Sequence, residues 1–227
     1  MEAYALTDVG QKRSMNQDSV YARTKSIGSL ENLFIVADGM GGHQAGDFAS
    51  NFVVENLVRF FETPYPERDV HGILKEGIRK VNRDLYECTS RDPKLNGAGS
   101  TLVLATIKGS VLYVANIGDS RLYLLREALE QITKDHSYVE ELVAMGKLKR
   151  GSRDYLEKKN IITRAVGVSA QVDTDLFALK LKSGDQILMC SDGLSNMVDE
   201  LEIEYIIRSE DGVESRAKAL VDAANRS

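Results

Sequence analysis

The chain has 227 residues, of which 43% are hydrophobic and 28% are charged, a composition typical of a globular protein. At this length a fold buries roughly 70% of the unfolded surface, so neither a disulfide nor a structural metal is needed to form a core. The 29 basic and 34 acidic residues give a net charge of −5, which argues against a nucleic-acid partner.

The sequence also favours a cytoplasmic protein of one domain. No apolar stretch is long enough to cross a bilayer, which argues against a membrane partner, and the N-terminal residues do not resemble a signal peptide. Cys88 and Cys190 lie far apart and form no CxxC motif, as is typical of a reducing compartment. Since repeats and a proline-rich linker are absent, residues 1–227 are expected to form a single domain.

In chain order, the first half of the sequence predicts short strands and then a pair of helices. Residues 4–7 and 19–23 are predicted as strands, and 33–37 is a continuous apolar run typical of a strand buried on both faces. Apolar residues then recur at helical spacing over 44–62 and again over 69–87.

The second half predicts further strands, a charged segment and two more helices. The strands are expected at 100–107, 111–116, 122–125, 177–181 and 186–190. The segment 137–159 is highly charged with a helical period, and helices are expected over 200–208 and 214–225. Because strands come as hairpins and helices come in pairs, we expect an α+β fold of two mainly antiparallel stacked sheets covered by helix pairs.

Three of the predicted strands end at an aspartate, and this repetition indicates a metal site. Asp38, Asp119 and Asp192 each follow an apolar run, and Asp18 ends a polar turn. A carboxylate at the end of a buried strand is costly unless a positive charge meets it. Oxygen ligands without a cysteine or histidine cluster suit Mg²⁺ or Mn²⁺ rather than zinc. Gly39 would allow a sharp turn and offer its carbonyl to the same cation.

A purely structural interpretation of these residues stays open. Asp-Gly is a common hairpin turn, so a single copy is usually only a turn. However, Asp38-Gly39 is followed by a run from Met40 to Gly46 that holds more glycine than a hairpin needs. That run lacks the features of a P-loop and of GxGxxG, which disfavours a nucleotide site. A cysteine nucleophile loop and a GxSxG elbow are also absent from the sequence.

Two further residues are candidates for substrate chemistry. Arg13 precedes Asp18, and beside a metal site its planar guanidinium would match two phosphate oxygens, although a lone loop arginine is usually just solvated. His43 ends the glycine-rich run and is a candidate proton donor. The other histidines, His71 and His136, stand in polar contexts and are expected at the surface.

Taken together, these motifs resemble the metal-dependent serine/threonine protein phosphatases of the type 2C (PPM) family, especially its compact bacterial members. The matching stretches occur in family order and cover nearly the whole chain: DVGQKRSMNQD (8–18), VADGMGGH (36–43), GST (99–101), IGDSR (117–121), NIITRAVG (160–167) and CSDGL (190–194). The resemblance implies a four-layer αββα sandwich with a centre of two Mn²⁺ or Mg²⁺ ions at one end of the sheets.

The resemblance also implies a role for each acidic candidate. Asp38 would bridge both ions, and the carbonyl of Gly39 would complete one coordination shell. Asp192 would ligate the first ion, and Asp18 would hold metal-bound water. Asp119, together with Asp192, is similar to the pair that binds a third, weaker ion in bacterial members.

For the substrate, the resemblance implies that Arg13 binds the phosphate and that residues 137–160 form a mobile flap beside the site. Animal relatives place a histidine directly after the Asp-Gly as general acid, whereas this chain has Met40 there. His43 or a metal-bound water would then protonate the leaving serine.

The implied function is hydrolysis of phosphoserine and phosphothreonine in proteins by a metal-activated water, without a covalent intermediate. The expected partners are phosphorylated proteins and a cognate serine/threonine kinase, and the expected state is a monomer. The family normally ends in a Gly-Gly-x-Asp-Asn segment with a metal-ligating aspartate and a last strand, and we expect this segment to be missing after Ser227. A catalytically impaired, phosphatase-like binding or sensor domain is therefore the alternative.

Overall fold

Two antiparallel sheets and the helices that cover them are seen in the computed structural model, which describes residues 1–42, 45–65 and 69–227. The strands are β1 (Asp18–Arg23), β2 (Leu33–Met40), β3 (Gly99–Ser100), β4 (Leu102–Lys108), β5 (Val111–Ile117), β6 (Arg121–Leu125), β7 (Leu129–Gln131), β8 (Asp175–Lys180) and β9 (Gln186–Cys190). The helices are α1 (Ala45–Glu62), α2 (Val70–Arg91), α3 (Tyr138–Ala144), α4 (Arg153–Lys158), α5 (Asp192–Ser195), α6 (Glu200–Ser209) and α7 (Val213–Arg226).

The larger sheet has the strand order β1-β2-β4-β5-β8, with β3 paired to β2, and the smaller sheet has the order β7-β6-β9. Successive side chains of a strand point to opposite faces, so each central strand contributes to two cores. In β4, Leu102 and Leu104 pack under α1 and α2, whereas Val103 and Ala105 belong to the apolar cluster between the sheets.

A third apolar cluster packs the smaller sheet against α6 and α7, joining Leu125 of β6 to Ile203 and Leu220 of these helices. Three cores between four layers make the αββα sandwich, so the expected fold class is confirmed. None of the described helices combines the length and the apolar character that a membrane span requires.

Aspartate side chains cap two of the long helices. Asp69 accepts a hydrogen bond from the amide of Gly72 at 2.7 Å at the start of α2, and Asp199 accepts one from the amide of Glu202 at 2.8 Å at the start of α6. These caps satisfy amide groups that have no partner within the helix. They explain why α2 begins where the sequence pattern predicts.

The prediction of a strand at residues 4–7 is wrong, because these residues are exposed and do not belong to a described sheet. Residues 33–37 lie in β2, where fully buried and half-buried residues alternate, and Phe34 packs against the cluster between the sheets. The charged segment forms two short helices, α3 and α4. Gly146 and Gly151 lie between them with positive φ angles of 68° and 73°, a conformation that interrupts a helix.

Removing a core side chain tests this layer arrangement. Leu104 is fully buried under α1 and α2. We expect Leu104→Ala to lower the free energy of unfolding by about 2–5 kcal/mol, because it leaves a cavity in a packed core. Urea denaturation provides the measurement. Leu201→Ala is the matched control, since Leu201 is 82% exposed on α6, and an equal loss in both variants would contradict the assigned core.

Candidate metal centre and substrate site

Four aspartates meet at one edge of the sandwich because of strand direction and register. Asp18 begins β1 and is the direct cross-strand partner of Asp38 near the end of β2. Asp119 follows β5, and Asp192 begins α5 two residues after β9 ends. Antiparallel pairing places the start of one strand beside the end of the next, so residues far apart in the chain reach the same edge.

The proximity of these carboxylates is visible in their electrostatics. Burial, followed by the charges of Asp18 and Asp192, raises the pKa of Asp38 to about 9. Burial and the charges of Asp192 and Asp135 raise the pKa of Asp119 to about 7. Carboxyl groups that share a poorly solvated site cannot all ionise without a compensating positive charge. The edge therefore lacks a compensating positive charge, which a divalent cation would supply.

The donor set suits a hard cation that keeps part of its water. Within residues 1–42, 45–65 and 69–227, no three histidine, cysteine, aspartate or glutamate side chains already form a group that could hold a metal ion. Mg²⁺ is commonly bound by only one or two protein carboxylates and several waters, so a closed protein cage is not required. Oxygen donors in a repulsive cluster fit Mg²⁺ or Mn²⁺ on this ground.

Polar side chains around the edge hold two of the carboxylates. Ser191 donates a hydrogen bond of 2.6 Å to Asp18 Oδ2. Ser191 is the N-cap residue of α5, but its hydroxyl makes no capping hydrogen bond to the helix. The hydroxyl orients the Asp18 carboxylate instead. Asn196 Nδ2 donates to Asp192 Oδ2 at 2.9 Å and to Asn160 Oδ1 at 3.2 Å, which connects Asp192 to the segment 137–160.

Gly39 lies where the backbone is too crowded for a side chain. Its amide donates to the carbonyl of Gln17 at 2.9 Å, and a Cβ atom at this position would collide with the carbonyl of Gly46. Any other residue would push the first turn of α1 away from the end of β2. The glycine therefore permits the close approach of α1 to the strand that carries Asp38.

Of the two residues predicted to contact the substrate, the structure describes Arg13 but not His43. Arg13 is exposed, donates from Nη1 to Gln17 Oε1 at 2.9 Å, and its charge lowers the pKa of Asp18 against the larger opposing effect of burial. The guanidinium is therefore close to the acidic edge. His43 lies outside the described residues.

A cleft of about 150 Å³ lies beside this edge and is lined by Asp119 and Asp192 together with Tyr155 of the flap, the name used here for residues 137–160. The flap is braced internally, because Glu140 accepts hydrogen bonds from the Tyr155 hydroxyl at 2.7 Å and from Arg150. The flap thus forms one wall of the cleft beside Asp119.

The base of the flap contains a histidine that the sequence analysis placed wrongly. His136 is 6% exposed rather than at the surface. Its Nδ1 atom accepts a hydrogen bond from the amide of Gly118 at 3.1 Å, and its Nε2 atom lies 3.1 Å from Asp175 Oδ2. Its carbonyl accepts from the amide of Thr163 at 2.8 Å. A polar sequence context did not reveal this burial, because the partners come from distant strands.

The family model "Protein phosphatase 2C" matches residues 9–223, so the chain belongs to this family of metal-dependent phosphatases. The family uses Mn²⁺ or Mg²⁺, as the sequence analysis expected.

Particular relatives agree with this assignment. The chain is 37% identical over 238 residues to the serine/threonine phosphatase stp of Listeria monocytogenes, covering 99% of this chain and 90% of that protein. It is 38% identical over 229 residues to the protein phosphatase PhpP of Streptococcus pneumoniae, covering 99% and 92%. None of these comparisons supports the alternative of a non-catalytic binding domain.

Solved structures show the same similarity. The serine/threonine phosphatase of S. agalactiae superposes with a TM-score of 0.90 at 34% identity, covering 97% of this chain and 91% of that one. The catalytic domain of the phosphatase PstP, crystallised with two manganese ions, superposes with a TM-score of 0.82 at 35% identity, covering 96% and 89%. The fold and the serine/threonine phosphatase class expected from the sequence are therefore confirmed.

The raised pKa values predict how stability depends on pH in protein treated with a chelator. The folded state holds protons on Asp38 and Asp119 that the unfolded state releases above the ordinary value of 3.8. The free energy of unfolding is therefore expected to fall as pH rises from 3.8 towards about 9. Thermal unfolding of the wild type and of Asp38→Asn, each in chelator, provides the measurement.

We expect Asp38→Asn to be the more stable of the two, by a margin that grows between pH 5 and pH 8, because the amide removes one repelling charge. Mn²⁺ should raise the melting temperature of the wild type far more than that of the variant. If the difference in stability between the two proteins is constant across this pH range, the proposed crowding of carboxylates is contradicted.

Proposed function

We propose that the chain hydrolyses phosphoserine and phosphothreonine in proteins at a two-metal centre built on the four-aspartate edge. The observation that supports this most directly is the raised pKa of Asp38, which reports three further carboxylates, those of Asp18, Asp119 and Asp192, around one buried group. Such a cluster is stable as charged carboxylates only when cations neutralise it.

The individual roles proposed here are those that the family resemblance implies. Asp38, which feels the charges of Asp18, Asp192 and Asp119, would bridge two ions, with the Gly39 carbonyl as a further ligand. Asp192 would ligate the first ion. Asp18 would hold a metal-bound water, since one of its carboxylate oxygens already accepts a hydrogen bond from Ser191. Asp119, with Asp192, would hold a third ion in the cleft.

The reaction requires phosphate binding, a nucleophile and a proton for the leaving group. Bound Mn²⁺ or Mg²⁺ ions would lower the pKa of a water and offset the charge of the phosphoryl oxygens. Arg13 would bind two phosphate oxygens with its guanidinium fork and so orient the phosphorus for in-line attack. His43 is the candidate donor of the proton to the leaving serine or threonine oxygen.

Several broader features belong to the same proposal. Residues 1–227 would act as a single catalytic domain, with the flap at 137–160 as its substrate-facing part. The net charge of −5 supports a protein rather than a nucleic acid as substrate. A cognate serine/threonine kinase, a monomeric state and a cytoplasmic location complete the proposal.

Replacing the central aspartate tests the metal role. We expect Asp38→Asn to lower Mn²⁺-dependent hydrolysis of p-nitrophenyl phosphate by orders of magnitude, because a neutral amide is a poor bridge between two cations. The comparison is made at equal folded fraction, judged by circular dichroism. Asp211→Asn, at an exposed position between α6 and α7, is the matched control and should keep full activity. A fully active Asp38→Asn enzyme would refute the assignment.

Replacing the arginine separates phosphate binding from metal binding. We expect Arg13→Ala to raise the KM for a phosphopeptide roughly tenfold or more, since charge-assisted hydrogen bonds are worth about 1.5–3 kcal/mol. Calorimetric Mn²⁺ affinity should not change. Arg13→Lys keeps the charge without the fork and should give an intermediate KM. Weaker Mn²⁺ binding in Arg13→Ala would show that this residue has another role.

A further inference from the structure

Thr101 makes an unusual set of contacts at the acidic edge. It lies between β3 and β4 and is 3% exposed. The amide of Asp38 donates to Thr101 Oγ1 at 2.9 Å, and the amide of Thr101 donates back to the carbonyl of Asp38 at 2.8 Å. Two bonds in opposite directions fix the backbone that carries the Asp38 carboxylate.

The same side chain also contacts the segment that carries Asp119. The hydroxyls of Thr101 and Ser120 share a hydrogen bond of 2.7 Å, and Ser120 is fully buried. Gly118 has a φ of 100°, and a Cβ atom there would come within 2.7 Å of Thr101 Cγ2. Thr101 therefore touches both neighbours of Asp119 in the chain while it holds Asp38.

We propose that Thr101 is a positioning residue that fixes the separation of Asp38 and Asp119 and thereby sets the affinity of the edge for divalent metal. This inference rests on the proposed metal-binding role of both aspartates. The hydroxyl is the shared element, because one oxygen accepts from the Asp38 amide and bonds to Ser120. Without it, the buried Asp38 amide loses its acceptor and the two segments lose their only described hydroxyl link.

The chain offers a matched control in the strand that follows. Thr106, in β4, is 1% exposed, and its hydroxyl donates to the carbonyl of Asn32 at 2.7 Å. It has the same residue type, the same burial and one buried hydrogen bond, but its partner lies away from the aspartates. Thr106→Val thus reports what the loss of a buried threonine hydroxyl does to the fold alone.

The experiment is a calorimetric Mn²⁺ titration of the full chain without substrate, together with thermal unfolding in chelator. We expect Thr101→Val to weaken Mn²⁺ binding roughly ten- to hundredfold, as is typical when groups that orient metal ligands are removed. Thr101→Ser should bind close to the wild type. Thr106→Val should lower the melting temperature and leave Mn²⁺ affinity unchanged. At saturating Mn²⁺, the kcat of Thr101→Val should recover towards the wild-type value.

Each outcome decides the matter. If Thr101→Val binds Mn²⁺ as the wild type does, or if Thr106→Val weakens binding equally, the positioning role is refuted and the proposed function stands. If the wild type binds no Mn²⁺, the proposed function fails and this inference fails with it. Should Thr101→Val not fold, Ser120→Ala takes its place, because it removes the link to Asp119 and leaves the Asp38 amide paired. Unchanged Mn²⁺ affinity in that variant would equally refute the inference.

Discussion

Repulsion among buried carboxylates is the interaction on which the organisation of this molecule depends. Asp38 stands among Asp18, Asp119 and Asp192, and burial raises the pKa of Asp38, of Asp18 and of Asp119. Such a group persists only where the surrounding fold is stable enough to impose it. The three apolar cores of the sandwich supply that stability, and a divalent cation at the acidic edge would offset its electrostatic cost.

Near the acidic edge, several residues depart from the usual local preferences for helix capping and side-chain placement. Ser191 occupies a helix N-cap, where its hydroxyl would ordinarily accept from the helix, yet it donates to Asp18 instead. Gly39 and Gly118 leave out side chains so that distant segments can approach. These departures lie at the acidic edge, whereas Asp69 and Asp199 cap their helices in the usual way.

The flap lies beside the acidic edge and is connected to it by hydrogen bonds. Its base is fixed by His136, which reaches Gly118 and Asp175, and Asn160 is linked through Asn196 to Asp192. The flap is therefore mechanically connected to the carboxylates it faces.

The sequence by itself determined the class of fold, the long helices and the four aspartates, because periodicity and strand-end motifs are local signals. It did not reveal β3 and β7, which are two and three residues long, or the burial of His136. It also did not reveal the hydrogen bonds of Thr101 and Ser191 to the aspartate segments. Only the tertiary structure decided these, since hydrogen bonds between segments 60 or more residues apart depend on strand register, and register is set by packing of the whole sandwich.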